Sequence, residues 1–532
     1  MLKAGFQEVV ITSPIGSTAL AGYGGLKQLA QGINDQLLAN CAVIENENER
    51  VAIVSLDLVG ILPETVQNMR ELANTLTNGA IKKENILICC THTHSGPDTI
   101  GIFYPGQFLR FKPDTDYLKL LERFVAGGIL GAYNNLQEVE MKAGKDYLND
   151  ASSNRREGGL PPNPVSPRTI DPEVQLISFD VNKETVGLVV NFAAHATSFS
   201  TSSRMHMSAD YVGALREEIK AKLGKKVVVV YLNGACGDIS PRSSVLSSKT
   251  PELIVKIDAS SKKVEVENFS GFCKANKIDP GQFDSFYNER LKKFKRSPFF
   301  NQECKISFKG SGDLMLEFKD GMPPAMGFKR MFIWFLYAGA DEPAHVRVGK
   351  KIAKKALEIY KKRKKSTENP EVKCSLKTVR INIDDPEMAN EGVFEEYMIK
   401  IDDRIYSDVE VQVIKIDDIL ILTMPGEPVN EIQLRLKALI RQQSHVDQVL
   451  FAEIANGQIG YILTPEEYDM MGYESIICFG RENAHILEKE LITMASELLG
   501  KKMQWNTQVE LSTVNVMPKM KLSETMKIER IN

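Results

Sequence analysis

Residues 84–98, ENILICCTHTHSGPD, run from an apolar stretch into two histidines one residue apart, in a chain that has only seven. In an extended backbone, side chains two apart point to one face, so His92 and His94 are expected to share a site at a strand end. Such a pair suits a metal ligand with an acid/base group beside it; an ordinary polar strand ending has the same pattern. A third histidine, His195 in NFAAHATSFS, also follows an apolar strand. Alone it reads as a hydrogen-bonded structural residue, but with the pair it supplies the nitrogen that a metal site needs. Zinc takes three or four N, O or S ligands, and a catalytic site keeps a position open for water.

Three further constellations end apolar runs. In NGACGDISPR, two glycines and a proline shape a turn that presents Asp238 and Ser240. A serine nucleophile there lacks the G-x-S-x-G elbow, because Pro241 follows Ser240. The preferred reading is a loop whose aspartate and amides organise a site wall, with Ser240 near substrate. In ILTMPGEPVNEI, Glu427 either caps the following helix or, near the histidines, supplies a hard anionic ligand. ANGQIGYILTPEEYDMMGYES carries Tyr461, Tyr468 and Tyr473 among glycines, a pattern that commonly means amphipathic packing.

Positioning these groups requires strands that end in loops. Residues 50–61, 85–92, 185–195 and 225–238 read as strands running into loops, and PETVQNMRELANTLT and DYVGALREEIKAKLG have the spacing of amphipathic helices. Strand, loop, helix, strand is an α/β rhythm, and runs such as VVVVYL point to strands buried on both faces. The expected fold is α/β, with mixed sheets flanked by helices in one large catalytic domain that holds an inserted subdomain. The boundaries read as 1–244 and 345–505 for the catalytic domain, 245–344 for a charged, irregular insertion or lid with helical patches, and 506–532 for a C-terminal extension. Within the insertion, residues 323–339 (PPAMGFKRMFIWFLYAG) read as a buried helix, or as a hydrophobic lid over an acyl chain with Lys329 and Arg330 at headgroup level.

Composition narrows the class. Hydrophobic content of 43% and charged content of 25% are those of a globular protein, and a net charge of −3 argues against a nucleic-acid binder. Eight scattered cysteines form no CxxC pair and read as reduced, buried thiols. No basic-then-apolar leader opens the sequence, and the longest apolar run, 331–340, is about half a membrane span. A cytoplasmic protein is the expectation. The basic run 346–366 reads as a solvated helix face, with peripheral contact to anionic lipid as the alternative.

Taken in order, THTHSGP, NFAAHATSFS with MSADYVGAL, GDISP, PGE and GYILTPEEYDMMGYE resemble the motifs of the neutral/alkaline non-lysosomal ceramidase family, over roughly residues 3–245 and 345–500. The resemblance implies a zinc-dependent amidase that splits the N-acyl bond of ceramide into sphingoid base and fatty acid. It implies one zinc per chain, bound by His92, His195, Glu427 and Tyr461, with His94 beside it to move a proton. It also implies that Tyr473 contacts the tetrahedral intermediate, that Arg155 in SSNRREGG lies near the substrate amide, and that Ser240 lies close to the site. The family's C-terminal β-sandwich domain has no counterpart after Gln504 in this sequence. The expected partner is therefore a small-molecule or lipid N-acyl amide. Hydrolysis of a non-sphingolipid amide or ester by the same centre is the main alternative; a Ser240 hydrolase and a binding protein with a degenerate site stand behind it.

Overall fold

The computed structural model describes residues 1–16, 19–22, 29–47, 49–101, 114–155, 170–199, 205–242, 342–367, 369–384, 397–470 and 472–509, together with segments 253–258, 263–268, 270–271, 274, 304–308 and 314–318. The chain divides into two compact units: Met1–Asn154 with Pro164–Pro241 and His345–Val516, and Arg155–Asn163 with Arg242–Ala344 and Met517–Asn532.

The first unit is mixed α/β and contains three five-stranded sheets. Each has the same device at one edge, a βαβ crossover. Glu49–Leu56 leads through helix Pro63–Leu76 to Ile86–Cys90; Glu184–Phe192 leads through helix Asp210–Leu223 to Val228–Asn233; Ile419–Thr423 leads through helix Asn430–Ser444 to Gln448–Ala452. In all three the flanking strands pair in parallel, as a helical crossover requires. The other pairings within these sheets are antiparallel. A parallel pair brings the C-terminal ends of both its strands to one edge, where α/β proteins gather their functional loops.

The sequence accounts for these elements. Pro63 opens the first crossover helix, at the turn where a missing N–H costs nothing. Val66, Met69, Arg70 and Ala73 then bury one face at three- and four-residue spacing. Strand residues such as Ile53, Leu87, Phe179, Val189, Val230, Ile421 and Leu450 meet in one core cluster drawn from all three sheets. The helices cover the outer faces: Pro63–Leu76 and Thr115–Asn134 share a cluster with the first sheet, and Asn430–Ser444 and Asn483–Leu499 with the third. Residues 50–61, read as a strand running into a loop, form a strand that ends at Leu56 and a loop over 57–61. The basic run forms helix Ala344–Lys362, where Lys351 and Lys355 pair with Asp150 and Asp146. No described helix is long and apolar enough to cross a membrane.

In the second unit the described residues include helical positions at 270–271 and 274 and a four-stranded antiparallel sheet, in the order Lys263–Glu267, Leu253–Asp258, Cys304–Phe308, Leu314–Phe318. Most of this region was expected to be irregular with helical patches; alternation in KVEVE and LMLEF is the period-two signal that its charge obscured. Residues 323–339, with Lys329 and Arg330, lie outside the described residues.

Candidate metal centre

All six loops that leave the three parallel pairs contribute to one buried cluster in the first unit. The loop after Cys90 carries His92 and His94, and the loop after Phe192 carries His195. Their Nε2 atoms converge: His92 lies 3.1 Å from His195 and 3.2 Å from His94. The loop after Thr423 brings Glu427, whose Oε2 is 3.2 Å from His92 Nε2 and 3.3 Å from His195 Nε2.

The same loops fix the tautomers. His92 Nδ1 faces the Val59 carbonyl at 2.6 Å, in the loop after Leu56. His195 Nδ1 faces the Cys236 carbonyl at 2.7 Å, in the loop after Asn233. His94 Nδ1 faces the Gly22 carbonyl at 2.8 Å. An Nδ1 that meets a carbonyl carries the proton and donates it, so each Nε2 turns a lone pair toward a common point. Three lone pairs and a carboxylate oxygen at such spacing repel one another unless a proton or cation lies among them. Glu427 Oε1 accepts from Gln458 Nε2 at 2.9 Å, whereas its buried Oε2 faces the Nε2 atoms of His92 and His195. This is the donor set and outer-shell pattern of a metal site, and His92, His94 and His195 lie close enough together to hold an ion.

Charge balance agrees. Burial opposes ionisation of Glu427, yet the imidazoles of His92 and His195 hold its carboxyl well below the usual range. Burial also disfavours a charged His92, but Glu427 outweighs it and raises the group. Burial, with His92 and His195 alongside, holds His94 well below the ordinary histidine value, so it stays neutral.

The two histidines share the site by a different route from the one their spacing suggests. The strand ends at Cys90, and His92 has a left-handed backbone with φ 64°, a strained conformation that clusters at functional sites. Gly22, at φ +97°, lets the flanking segment lie on the His94 ring; a Cβ there would sit 2.3 Å from it.

Glu427 is no helix cap. Helix Asn430–Ser444 has Val429 at its N-cap without a side-chain bond, and the Asn430 N–H is taken at 2.8 Å by Asp238. Asp238 also accepts from Asn154 Nδ2 at 2.5 Å, so it ties two site loops together. Ser240 follows in a short strand opposite Ser153 and is half-buried. Tyr461 pairs with Glu427 in a two-residue parallel ladder and is 8% exposed. Tyr468 is partly buried against the core of the third sheet. Arg155 belongs to the second unit. Tyr473 begins a short 3-10 turn, and its side chain lies outside the described residues. Among the described residues, Cys41, Cys89, Cys90, Cys236, Cys374 and Cys478 are thiols outside any disulfide.

Sequence reasoning missed the groups that orient the ligands. Three are backbone carbonyls, at Val59, Gly22 and Cys236, which no residue type announces. The other two are Gln458 and Glu453. Glu453 sits one residue beyond Ala452, fully buried; burial pushes its carboxyl up to about 8, against the pull of His92 and Cys236. A charged residue closing the apolar run VLFA was the available signal.

Residues 3–303, more than half of the chain, match the family model described as neutral/alkaline non-lysosomal ceramidase, N-terminal. The chain is 23% identical over 513 residues to the neutral ceramidase of Mycobacterium tuberculosis, covering 90% of this chain and 74% of that protein. To the neutral ceramidase of Drosophila melanogaster it is 27% identical over 259 residues, or 45% of this chain and only 36% of the relative. The crystal structure of neutral ceramidase from Pseudomonas aeruginosa superposes with a TM-score of 0.64 at 17% identity, covering 96% of this chain and 77% of that one, a likeness of fold. The chain belongs to the neutral/alkaline non-lysosomal ceramidase family, and so to the amide-bond hydrolases.

Proposed function

We propose that the chain hydrolyses the N-acyl amide of ceramide-type lipids at a single zinc ion, releasing a sphingoid base and a fatty acid. The observation that carries the reading is the convergence of His92 and His195 Nε2 on Glu427 Oε2, with His94 Nε2 beside His92 Nε2, at the loop ends of three parallel strand pairs. Imidazole nitrogens with a hard carboxylate, and a phenol in register beside it, suit Zn²⁺. In this reading His92, His195, Glu427 and Tyr461 hold the ion. When bound, zinc lowers the pKa of water to about 7 and polarises the amide carbonyl.

The chain's own residues supply the rest. An amine leaves an amide only when its nitrogen gains a proton. Neutral His94, oriented by the Gly22 carbonyl, is the group placed to take a proton from the attacking water and pass it on. Tyr473 is proposed as a donor to the developing oxyanion, and Ser240 as a neighbour of the substrate. Asp238 shapes the loop wall.

The test is activity on an N-acylsphingosine against a panel of N-acyl amino acids, in wild type and in His92→Ala. Turnover of the lipid amide above the panel, lost in the variant together with zinc, is the expected result. Preference for the small amides would move the substrate to the non-sphingolipid class, and zinc retained by His92→Ala would overturn the ligand assignment.

A further inference from the structure

Residues 452–457 bond to several elements of the centre, though none of them is in the ligand set. Beyond the strand Gln448–Ala452, the Glu453 N–H donates to the Asn233 carbonyl at 2.9 Å and the Ile454 N–H to Gly426 at 2.9 Å; Ala455 donates to Met424 at 3.0 Å and Asn456 to Ile88 at 2.7 Å. In return, the Cys90 N–H donates to the Ile454 carbonyl at 3.2 Å. The Glu427 loop and the ends of the strands that lead into the His92 and Cys236 loops are thus stitched to one six-residue segment. The same segment holds Ile454 and Asn456 at φ 47° and 61°, a left-handed conformation that is unfavourable for a β-branched residue such as Ile454.

Glu453 makes the one side-chain link in this segment that reaches a ligand's partner. The oxygens of its carboxyl group accept from the Cys236 N–H at 2.8 Å, from Cys236 Sγ at 2.7 Å and from Asn233 Nδ2 at 3.0 Å. The carbonyl of Cys236 faces His195 Nδ1 at 2.7 Å. Asn233 in turn uses its Oδ1 to take the Ala194 N–H at 3.2 Å, next to His195. A fully buried carboxylate that orders the turn orienting a ligand has the position of an outer-shell group in a metal site.

We propose that Glu453 is a positioning residue of the metal centre: it clamps the Cys236 turn and so fixes the tautomer and direction of His195. The inference rests on the zinc reading above.

The test compares Glu453→Met, which keeps the volume and removes the acceptor, with Glu453→Gln, which can still accept from the Cys236 N–H. Zinc affinity is measured on the purified full chain by competition with a chromogenic chelator. The absorption spectrum of the cobalt(II)-loaded protein, which reports ligand geometry, is recorded beside it. Glu453→Met is expected to bind zinc about 10- to 100-fold more weakly, with an altered cobalt spectrum, and Glu453→Gln to recover most of the loss. Where Glu453→Met does not fold, Glu453→Asp replaces it, since a shortened carboxylate withdraws from the Cys236 N–H; the same loss is expected. Glu488→Gln, a buried carboxylate paired with Arg435 at 2.8 Å, is the control: its stability changes and its zinc affinity does not. Wild-type zinc affinity and cobalt spectrum in the folded Met or Asp variant would overturn the inference while leaving the zinc reading intact. Wild-type protein that takes up no zinc would overturn both.

Discussion

Two buried polar clusters meet the same structural problem and solve it differently. Between helix Asn430–Ser444 and strand Glu173–Val181, Lys437 Nζ lies 2.6 Å from Asp171 and 3.2 Å from Glu173, and Arg441 lies 2.8 Å from Glu173. Here each carboxylate meets a cation within the cluster. In the histidine cluster the groups facing one another are like in kind: imidazole lone pairs and an anionic oxygen. The first arrangement pairs its charges as it stands and fastens a helix to a sheet. The second is balanced only when a cation or proton occupies its centre. Burial alone therefore does not identify a functional site, whereas convergence of lone pairs on one point does.

That contrast predicts which property each change will damage. The largest effect belongs to the converging cluster: His195→Ala should abolish stoichiometric zinc and reduce kcat/KM by more than about a thousandfold, while the melting temperature of the chelated protein stays near wild type. Metal analysis beside calorimetry checks both halves.

In the balanced cluster the order reverses. Glu173→Gln should cost on the order of 3–5 kcal/mol, because it leaves Lys437 and Arg441 buried without their shared anion, and should spare zinc affinity. Lys437 and Arg441 overcome burial and hold the Glu173 carboxyl down at about 2, against an ordinary value of 4.5. A depressed carboxyl stabilises the fold above its unfolded pKa and loses that contribution as pH falls toward the folded one. Wild type should therefore lose stability between about pH 4.5 and 2, and the variant should show a shallower slope there in acid unfolding curves.

Gly22→Ala should have an intermediate effect. A Cβ placed 2.3 Å from the His94 ring displaces the proposed proton carrier. If His94 is not a ligand, kcat should fall roughly tenfold to a thousandfold with zinc content unchanged; zinc lost in parallel would make His94 a ligand instead. The smallest effect is expected at Gln458. Gln458→Leu frees Glu427 Oε1 and should weaken zinc binding by about tenfold, read by chelator competition.

The sequence made the α/β class legible through its strand-loop-helix rhythm, and it made His92, His94, His195 and Glu427 visible because each closes an apolar run. It hid whatever depends on register and backbone direction. H-x-H spacing suggested a shared face through an extended strand, but the left-handed turn at His92 is what brings the rings together. The carbonyls of Val59, Gly22 and Cys236 carry no side-chain signature at all. The run VVVVYL suggested burial without revealing that each sheet holds one parallel pair among antiparallel neighbours. Glu453 was overlooked because a glutamate after an apolar strand normally turns outward, while here the loops of three sheets enclose it.

The central claim is that the convergent cluster is a zinc centre that cuts an N-acyl amide. Its most direct test is metal content and N-acylsphingosine hydrolysis on one preparation, before chelation, after it, and after zinc is restored. One zinc per chain, with turnover lost and regained in step with it, is the predicted result. Hydrolysis that persists in fully metal-free protein would contradict the account.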